Sequence, residues 1–248
     1  MNLFGTLWLI LSSFLFSQNS FSKQNTEEIT LHYYDRPPFM FEKNHMPTGL
    51  TADLVLQIFK DADVPYKLKK TPARRQLRIL KENQGSDCSL GFKRSQERDL
   101  FAQFTLPIYL DGPWVLISSP RLNLSSNIET VFGNKHLLLI LFSRFTYGPR
   151  IEELLMKYSP KTLTIDGEVS RIYEMVKNGR ADIAVVTKEE AEYQDKAHPG
   201  SFRIYNFPEF GPYGENRYIM CSKKVSQNTM MKLNNTIQRL RLHITSPK

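Results

Sequence analysis

The sequence predicts an α/β protein of two lobes with mostly parallel sheets joined by extended crossings, and three observations predict it. Strand and helix patterns alternate from Ile29, the alternation restarts after Gly112, and neither a repeat period nor a Gly/Ser linker separates the two runs. The chain has 248 residues, 41% hydrophobic and 23% charged, which supplies a substantial core and excludes disorder or low complexity as its organising principle.

The first run opens with the strand-like Ile29-Thr-Leu-His-Tyr-Tyr, stopped by the turn Asp35-Arg36-Pro37-Pro38. Leu54, Val55, Ile58 and Phe59 then recur at helical spacing, with Thr51 as candidate N-cap. Tyr66-Lys-Leu-Lys reads as the next strand, Pro72 opens a second helix running toward Gly85, and Cys88-Ser-Leu-Gly reads as a short buried strand. Strands alternating with helices in this way argue for right-handed crossovers around a mostly parallel sheet. The second run repeats the scheme: strands at Trp114–Ile117, His136–Phe142, Thr162–Ile165 and Ile183–Val186, and helices at Gly148–Tyr158 and Val169–Asn178. A late strand, Arg217–Ser222, and an amphipathic helix, Thr229–Leu242, complete the chain.

Residues 1–22 read as a secretory signal peptide: Leu3 to Phe16 is almost wholly apolar, and Ser20-x-Ser22 sets small residues before a cut after Ser22. No Lys or Arg precedes the apolar stretch, so an uncleaved membrane anchor stays open as the alternative. That stretch is short for a membrane span, and the apolar run at 136–142 is of strand length. The net charge of +8 falls entirely after residue 22, but its 33 Lys and Arg are scattered among 25 acids without a dense basic run, which argues against a nucleic-acid partner. Cys88 and Cys221 either pair, as export to an oxidising compartment favours, or stay separate buried thiols. The five histidines show no metal-ligand spacing, so no metal and no cofactor is expected.

Several pieces now combine: Pro37-Pro38-Phe39 after the first strand, Gly49-Leu50, Gly85-Ser-Asp87, Ser95-Gln-Glu-Arg98, Phe104-Thr-Leu-Pro107-Ile-Tyr109 and Asn178-Gly-Arg-Ala-Asp182. In this order and spacing the mature chain resembles the extracellular solute-binding proteins of the polar-amino-acid type, bacterial family 3, which have the type II periplasmic binding protein fold: two α/β lobes with mixed, mostly parallel sheets joined by two hinge strands. The resemblance implies one lobe from residues 23–111 plus 218–248 and a second from 112–217. It also implies capture of a small polar ligand between the lobes in the periplasm and delivery to the permease of an ABC-type transporter, by a monomer. A sensory module handing its closed form to a membrane receptor is the alternative. The implied strand order sets the third strand beside the one returning from lobe two, which would pair Cys88 with Cys221 in a disulfide worth roughly 4 to 5 kcal/mol.

Ligands of open α/β sheets sit beyond the carboxyl ends of the strands, which singles out 34–39, 71–75, 91–98 and 144–148. The Ser95-x-x-Arg98 match carries the family's carboxylate-binding arginine onto Arg98, whose planar fork suits a carboxylate. Ser95 belongs to the same motif. Arg75 is expected at the cleft to hold a second anionic group, with Arg74 competing for that role. Tyr34, Phe39, Phe92 and Tyr109 are candidate aromatic walls, of which at most two are assigned to the ligand and the rest to the core. Thr146 and Tyr147 precede a helix start, where free N–H groups suit an anion or simply await a cap.

One position departs from the pattern. The family's Asp that pairs with an α-ammonium is here Thr187, and Glu189 or Glu190 substitutes only if the loop bends inward. An α-amino acid is therefore the leading expectation, with another small carboxylate as rival. No nucleophile with its base and no carboxylate dyad is visible, and the Glu-Glu pairs at 27–28, 152–153 and 189–190 read as solvated faces and caps, so no enzymatic activity is expected.

Overall fold

Alternating β-branched and aromatic runs set the strands, and apolar residues at helical spacing set the helices packed across them. The computed structural model describes residues 27–143 and 145–241. The expected signal peptide lies outside the described residues. In chain order the first half contains β1 (Ile29–Tyr33), a hairpin of β2 (Phe41–Lys43) and β3 (Met46–Thr48), α1 (Ala52–Asp61), β4 (Tyr66–Lys70), α2 (Ala73–Glu82), β5 (Asp87–Lys93), α3 (Gln96–Asp99), β6 (Ala102–Phe104) and β7 (Tyr109–Leu110). The second half contains β8 (Trp114–Ser118), α4 (Ile128–Gly133), β9 (Leu138–Phe142), α5 (Pro149–Tyr158), β10 (Lys161–Ile165), α6 (Ser170–Lys177), β11 (Ile183–Thr187), α7 (Lys188–Ala197) and β12 (Arg203–Tyr205). The chain then returns through β13 (Asn216–Ser222) and ends its described part in α8 (Gln227–Arg241).

Two sheets result. The first has the order β4-β1-β5-β13-β6, with β7 also on β13, and the second has the order β10-β9-β11-β8-β12. Both are parallel where crossover helices connect the strands and antiparallel where the chain re-enters, at β13 in the first sheet and at β8 and β12 in the second. The architecture is therefore two α/β lobes with mixed sheets. Two crossings join them, one running from β7 to β8 and the other from β12 through the 3-10 turn Pro208–Phe210 to β13.

β13 lies between β5 and β6, and its Cys221 stands opposite Cys88 of β5. The two sulfurs form a disulfide across a sequence separation of 133, inside the core formed by Leu31, Val55, Phe59, Leu90, Ile219 and Leu233. The late strand is thus covalently held to the lobe that opens the chain.

The same strand pair contains a β-bulge. Tyr218 faces Phe92 but Met220 faces Ser89, so β5 carries an extra residue. Gly91 supplies it at φ +64°, and a Cβ there would lie 2.9 Å from the Thr51 hydroxyl. A side chain is thus excluded by both backbone preference and space. The bulge turns the Gly91 carbonyl to accept a hydrogen bond from Arg217 Nη1 at 3.1 Å and re-aims Phe92 and Lys93. Thr51 takes the N-cap position expected of it, yet its hydroxyl donates to the Phe39 carbonyl at 2.9 Å rather than capping α1. That bond ties the helix to the turn after β1.

Candidate functional site

The strand ends of both sheets meet across one cleft. Tyr34 and Arg36 follow β1, Pro72 to Arg74 follow β4, Lys93 closes β5, Ser143, Phe145 and Thr146 follow β9, and Asp166 with Gly167 follows β10. Together with Phe92, Arg98 and Arg217 these residues line an inner cavity of about 270 Å³. It opens into an outer cavity of about 1190 Å³, and Pro72, Arg74, Leu77, Arg98, Phe145 and Thr146 line both.

Arg98 is held there by local structure. The Ser95 side chain caps the short α3 by accepting from the Arg98 N–H at 3.4 Å, and Arg98 Nη1 donates to the Lys93 carbonyl at 2.5 Å. Its guanidinium lies 5.3 Å from the centre of the Phe92 ring and is 7% exposed. Burial draws its pKa below the ordinary value, with Tyr34 and Glu97 working in the opposite direction. A buried, oriented fork of this kind is suited to an anion.

The other expected residues divide. Tyr34 and Phe92 line the inner cavity, with their rings 6.1 Å apart, and Thr146 lines both cavities. Ser95 and Arg75 line the outer cavity, whereas Arg74 reaches the inner one and pairs with Asp166 at 3.8 Å. Phe39 is fully buried, edge-on to Tyr109 and beneath the Arg217 guanidinium at 3.6 Å. The Tyr109 hydroxyl donates to Glu189 at 3.0 Å, and the Tyr147 hydroxyl accepts from the Phe142 N–H at 2.8 Å. These last three therefore brace the walls and do not line either cavity.

Around the inner cavity stands a buried ionic cluster that sequence reasoning missed. Arg36, in the turn after β1, makes two hydrogen bonds to Glu190 of α7, at 2.9 and 3.1 Å, and stacks over Phe145 at 4.0 Å. Burial opposes both charges. The partners outweigh it: Glu190 holds Arg36 well above its ordinary pKa, and Arg36 holds Glu190 below its own. Glu190 also completes a reciprocal capping box with Thr187. Of the expected reading of Glu189–Glu190 as a solvated face and cap, the cap holds at Glu190 and the solvated face is corrected. Glu190 is 2% exposed and ion-paired, and Glu189 accepts from Tyr109 and from the Gly112 N–H at 2.6 Å. With the Thr187 hydroxyl donating to Glu190 Oε2 at 3.0 Å, this region offers no carboxylate to the cavity. Asp166 is the acid that lines it. Applying the strand-end rule to the segment after β10, as to the others, would have found it.

A second pairing anchors the crossings. Arg217 grips both oxygens of Asp111, at 2.5 and 3.0 Å, and the Lys93 ammonium sits 3.2 Å from Asp111 Oδ2, an ion pair without hydrogen-bond geometry. The ammonium also lies 3.8 Å from the centre of the Trp114 ring. Burial pushes Lys93 down to about 8, against the pull of Asp111 and with help from Arg217 and Arg36. The folded value lies below the ordinary 10.5, so between about 8 and 10.5 the unfolded chain binds the proton that the folded one has released. Stability therefore rises with pH across that window, and Lys93→Met removes this part of the slope. Urea midpoints of both proteins from pH 7 to 11 check it, and parallel curves would refute it.

Among the described residues no group of three or more His, Cys, Asp or Glu is placed to hold a metal, and no helix is long and apolar enough to cross a membrane. No protein-family model matches the sequence, and no curated protein matches it. Solved structures do. One from the glutathione import system of Streptococcus mutans, acting via GshT and the cystine ABC importer TcyBC, aligns over 88% of this chain and 90% of its own, with a TM-score of 0.73 and 17% identity. An ancestral arginine-binding protein bound to arginine covers 87% of this chain and 92% of its own, with a TM-score of 0.70 and 18% identity. The arginine-, lysine-, histidine-binding protein ArtJ from Geobacillus stearothermophilus covers 88% and 90%, with a TM-score of 0.70 and 15% identity. At these identities the likeness establishes the fold, that of two-lobed periplasmic binding proteins.

Proposed function

We propose that this two-lobed chain is a periplasmic solute-binding protein that closes around a small carboxylate-bearing ligand and delivers it to an ABC-type transporter. In this reading residues 1–22 direct export and are removed, residues 23–111 with 218–248 form one lobe and 112–217 the other, and the protein acts as a monomer without turnover of its ligand. The observation that carries it is Arg98, buried at the junction of the two cavities and aimed between strand ends of both sheets. Arg98 takes the ligand's carboxylate, Tyr34 and Phe92 exclude water around its body, and Thr146 adds a hydroxyl from the second lobe. Asp166, facing Arg74 across the cavity mouth, is the acid available to an ammonium when the ligand is an amino acid.

A thermal-shift screen of amino acids and small organic acids tests this, because a ligand bound only by the folded form raises the melting temperature. Loss of a charge-assisted bidentate contact costs about 1.5–3 kcal/mol, so Arg98→Ala lowers affinity for the best hit about tenfold to a hundredfold. Calorimetric affinities of the two proteins decide, and equal values would remove the carboxylate clamp.

A further inference from the structure

The inner cavity, at about 270 Å³, has room for roughly one small molecule, while the outer cavity of about 1190 Å³ exceeds the ordinary range of small-molecule sites. Its charge is one-sided. Arg74, Arg75, Arg78 and Lys81 of α2 line it together with Arg94 and Arg98, against the acids Glu97, Glu152 and Glu215. Arg74, Arg78 and Lys81 recur at intervals of four and three, which sets them along one side of the helix. The ion pairs these cations make are exposed: Arg74 with Asp166 at 3.8 Å, Arg78 with Glu82 at 3.5 Å, and Arg94 with Asp99 at 2.8 Å. Exposed pairs of this kind are worth about 1 kcal/mol or less, so they yield readily to a ligand's carboxylates. Arg98 belongs to both cavities, which makes the basic surface continuous from the buried fork to the mouth.

We propose that the ligand is an extended organic polyanion: one carboxylate sits on Arg98 in the inner cavity, and further carboxylates lie along the α2 cations of the outer cavity. This rests on the capture reading above and narrows it from a small carboxylate to a multiply charged one, larger than a single amino acid. Acidic oligopeptides and free polycarboxylic acids share that chemistry.

Calorimetry with glutamate, triglutamate, trialanine and tricarballylate separates the cases. Triglutamate is expected to bind at least tenfold more tightly than glutamate or trialanine, with an advantage that shrinks as salt rises from 50 to 500 mM. In Arg78→Glu/Lys81→Glu the ratio of triglutamate to glutamate affinity falls about tenfold, and Arg98→Ala weakens both. A tricarballylate weaker than triglutamate identifies extension along α2 as what is read and supports the proposal, whereas the compact tricarballylate binding as tightly as triglutamate overturns it. Glutamate bound through Arg98 with no triglutamate advantage, or a ratio unchanged in the double variant, overturns the polyanion and leaves the capture reading standing. Glutamate and triglutamate both unaffected by Arg98→Ala overturn the two together, whereas the absence of binding by all four overturns the polyanion alone. Circular dichroism of the double variant confirms its fold, which its exposed positions leave intact.

Discussion

Replacing Glu190 by alanine is expected to destabilise the protein by about 3–5 kcal/mol, because it leaves a buried guanidinium without its carboxylate. Arg36 is 5% exposed and Glu190 2% exposed, so bulk water reaches neither. The same substitution removes the carboxylate half of the Thr187 capping box and adds to the loss. For a chain of this size the change lowers the melting temperature by about 10 °C. The comparison that isolates the charge is Arg36→Met/Glu190→Met, which removes both ions together and regains most of the loss, since an apolar pair of similar volume has no desolvation to overcome. Guanidinium unfolding of the three proteins measures this, and an alanine variant within 1 kcal/mol of the parent would contradict it. Small-angle scattering adds a structural readout. Arg36 follows a strand of the first sheet and Glu190 lies on the helix after a strand of the second, so the unpaired arginine regains water by opening the cleft and the radius of gyration grows.

Removal of the Cys88–Cys221 bond is the second large effect. Its separation of 133 residues encloses the whole second sheet, and in the chain-entropy account closing so long a loop contributes about 4–5 kcal/mol. Both cysteines are fully buried. Serine would therefore add unsatisfied hydroxyls to the core, and Cys88→Ala/Cys221→Ala is the cleaner test. Guanidinium midpoints of oxidised protein, reduced protein and the alanine pair separate the cross-link from the lost sulfur volume. Coincident curves for oxidised and reduced protein would show that the bond does not restrain the unfolded chain.

The regular elements were legible wherever local composition and tertiary burial agreed. The run of leucines and isoleucine ending at Phe142 and the β-branched run from Ile183 are buried strands, and both were readable as such. α7 was not, because Lys188-Glu-Glu-Ala-Glu-Tyr-Gln-Asp-Lys-Ala has no apolar stripe, and what secures it is the capping box at Thr187 and the ion pair at Glu190. The short β6, β7 and β12 exist by pairing with β13 and β8 rather than by their own propensity. At the cleft, the strand-end rule led to Tyr34, Phe92 and Thr146, while Arg98 was singled out by the Ser95-x-x-Arg98 resemblance. Arg36 and Lys93 lay within the same segments but were passed over, since their partners Glu190 and Asp111 are distant in sequence and no local pattern announces a pairing made only in the folded chain.

The Lys93 ammonium above Trp114 also gives the molecule an optical property. The sequence holds two tryptophans, and the other, Trp8, lies in the segment proposed to be removed on export. The mature chain then carries a single indole, at the first residue of the strand that follows a crossing, with a cation 3.8 Å from the centre of its ring. A charge at that distance shifts the emission of an indole, so any rotation of one lobe against the other that moves Lys93 away from the ring is written into the intrinsic fluorescence. If the lobes rotate as proposed, the unlabelled protein is its own gauge of that motion.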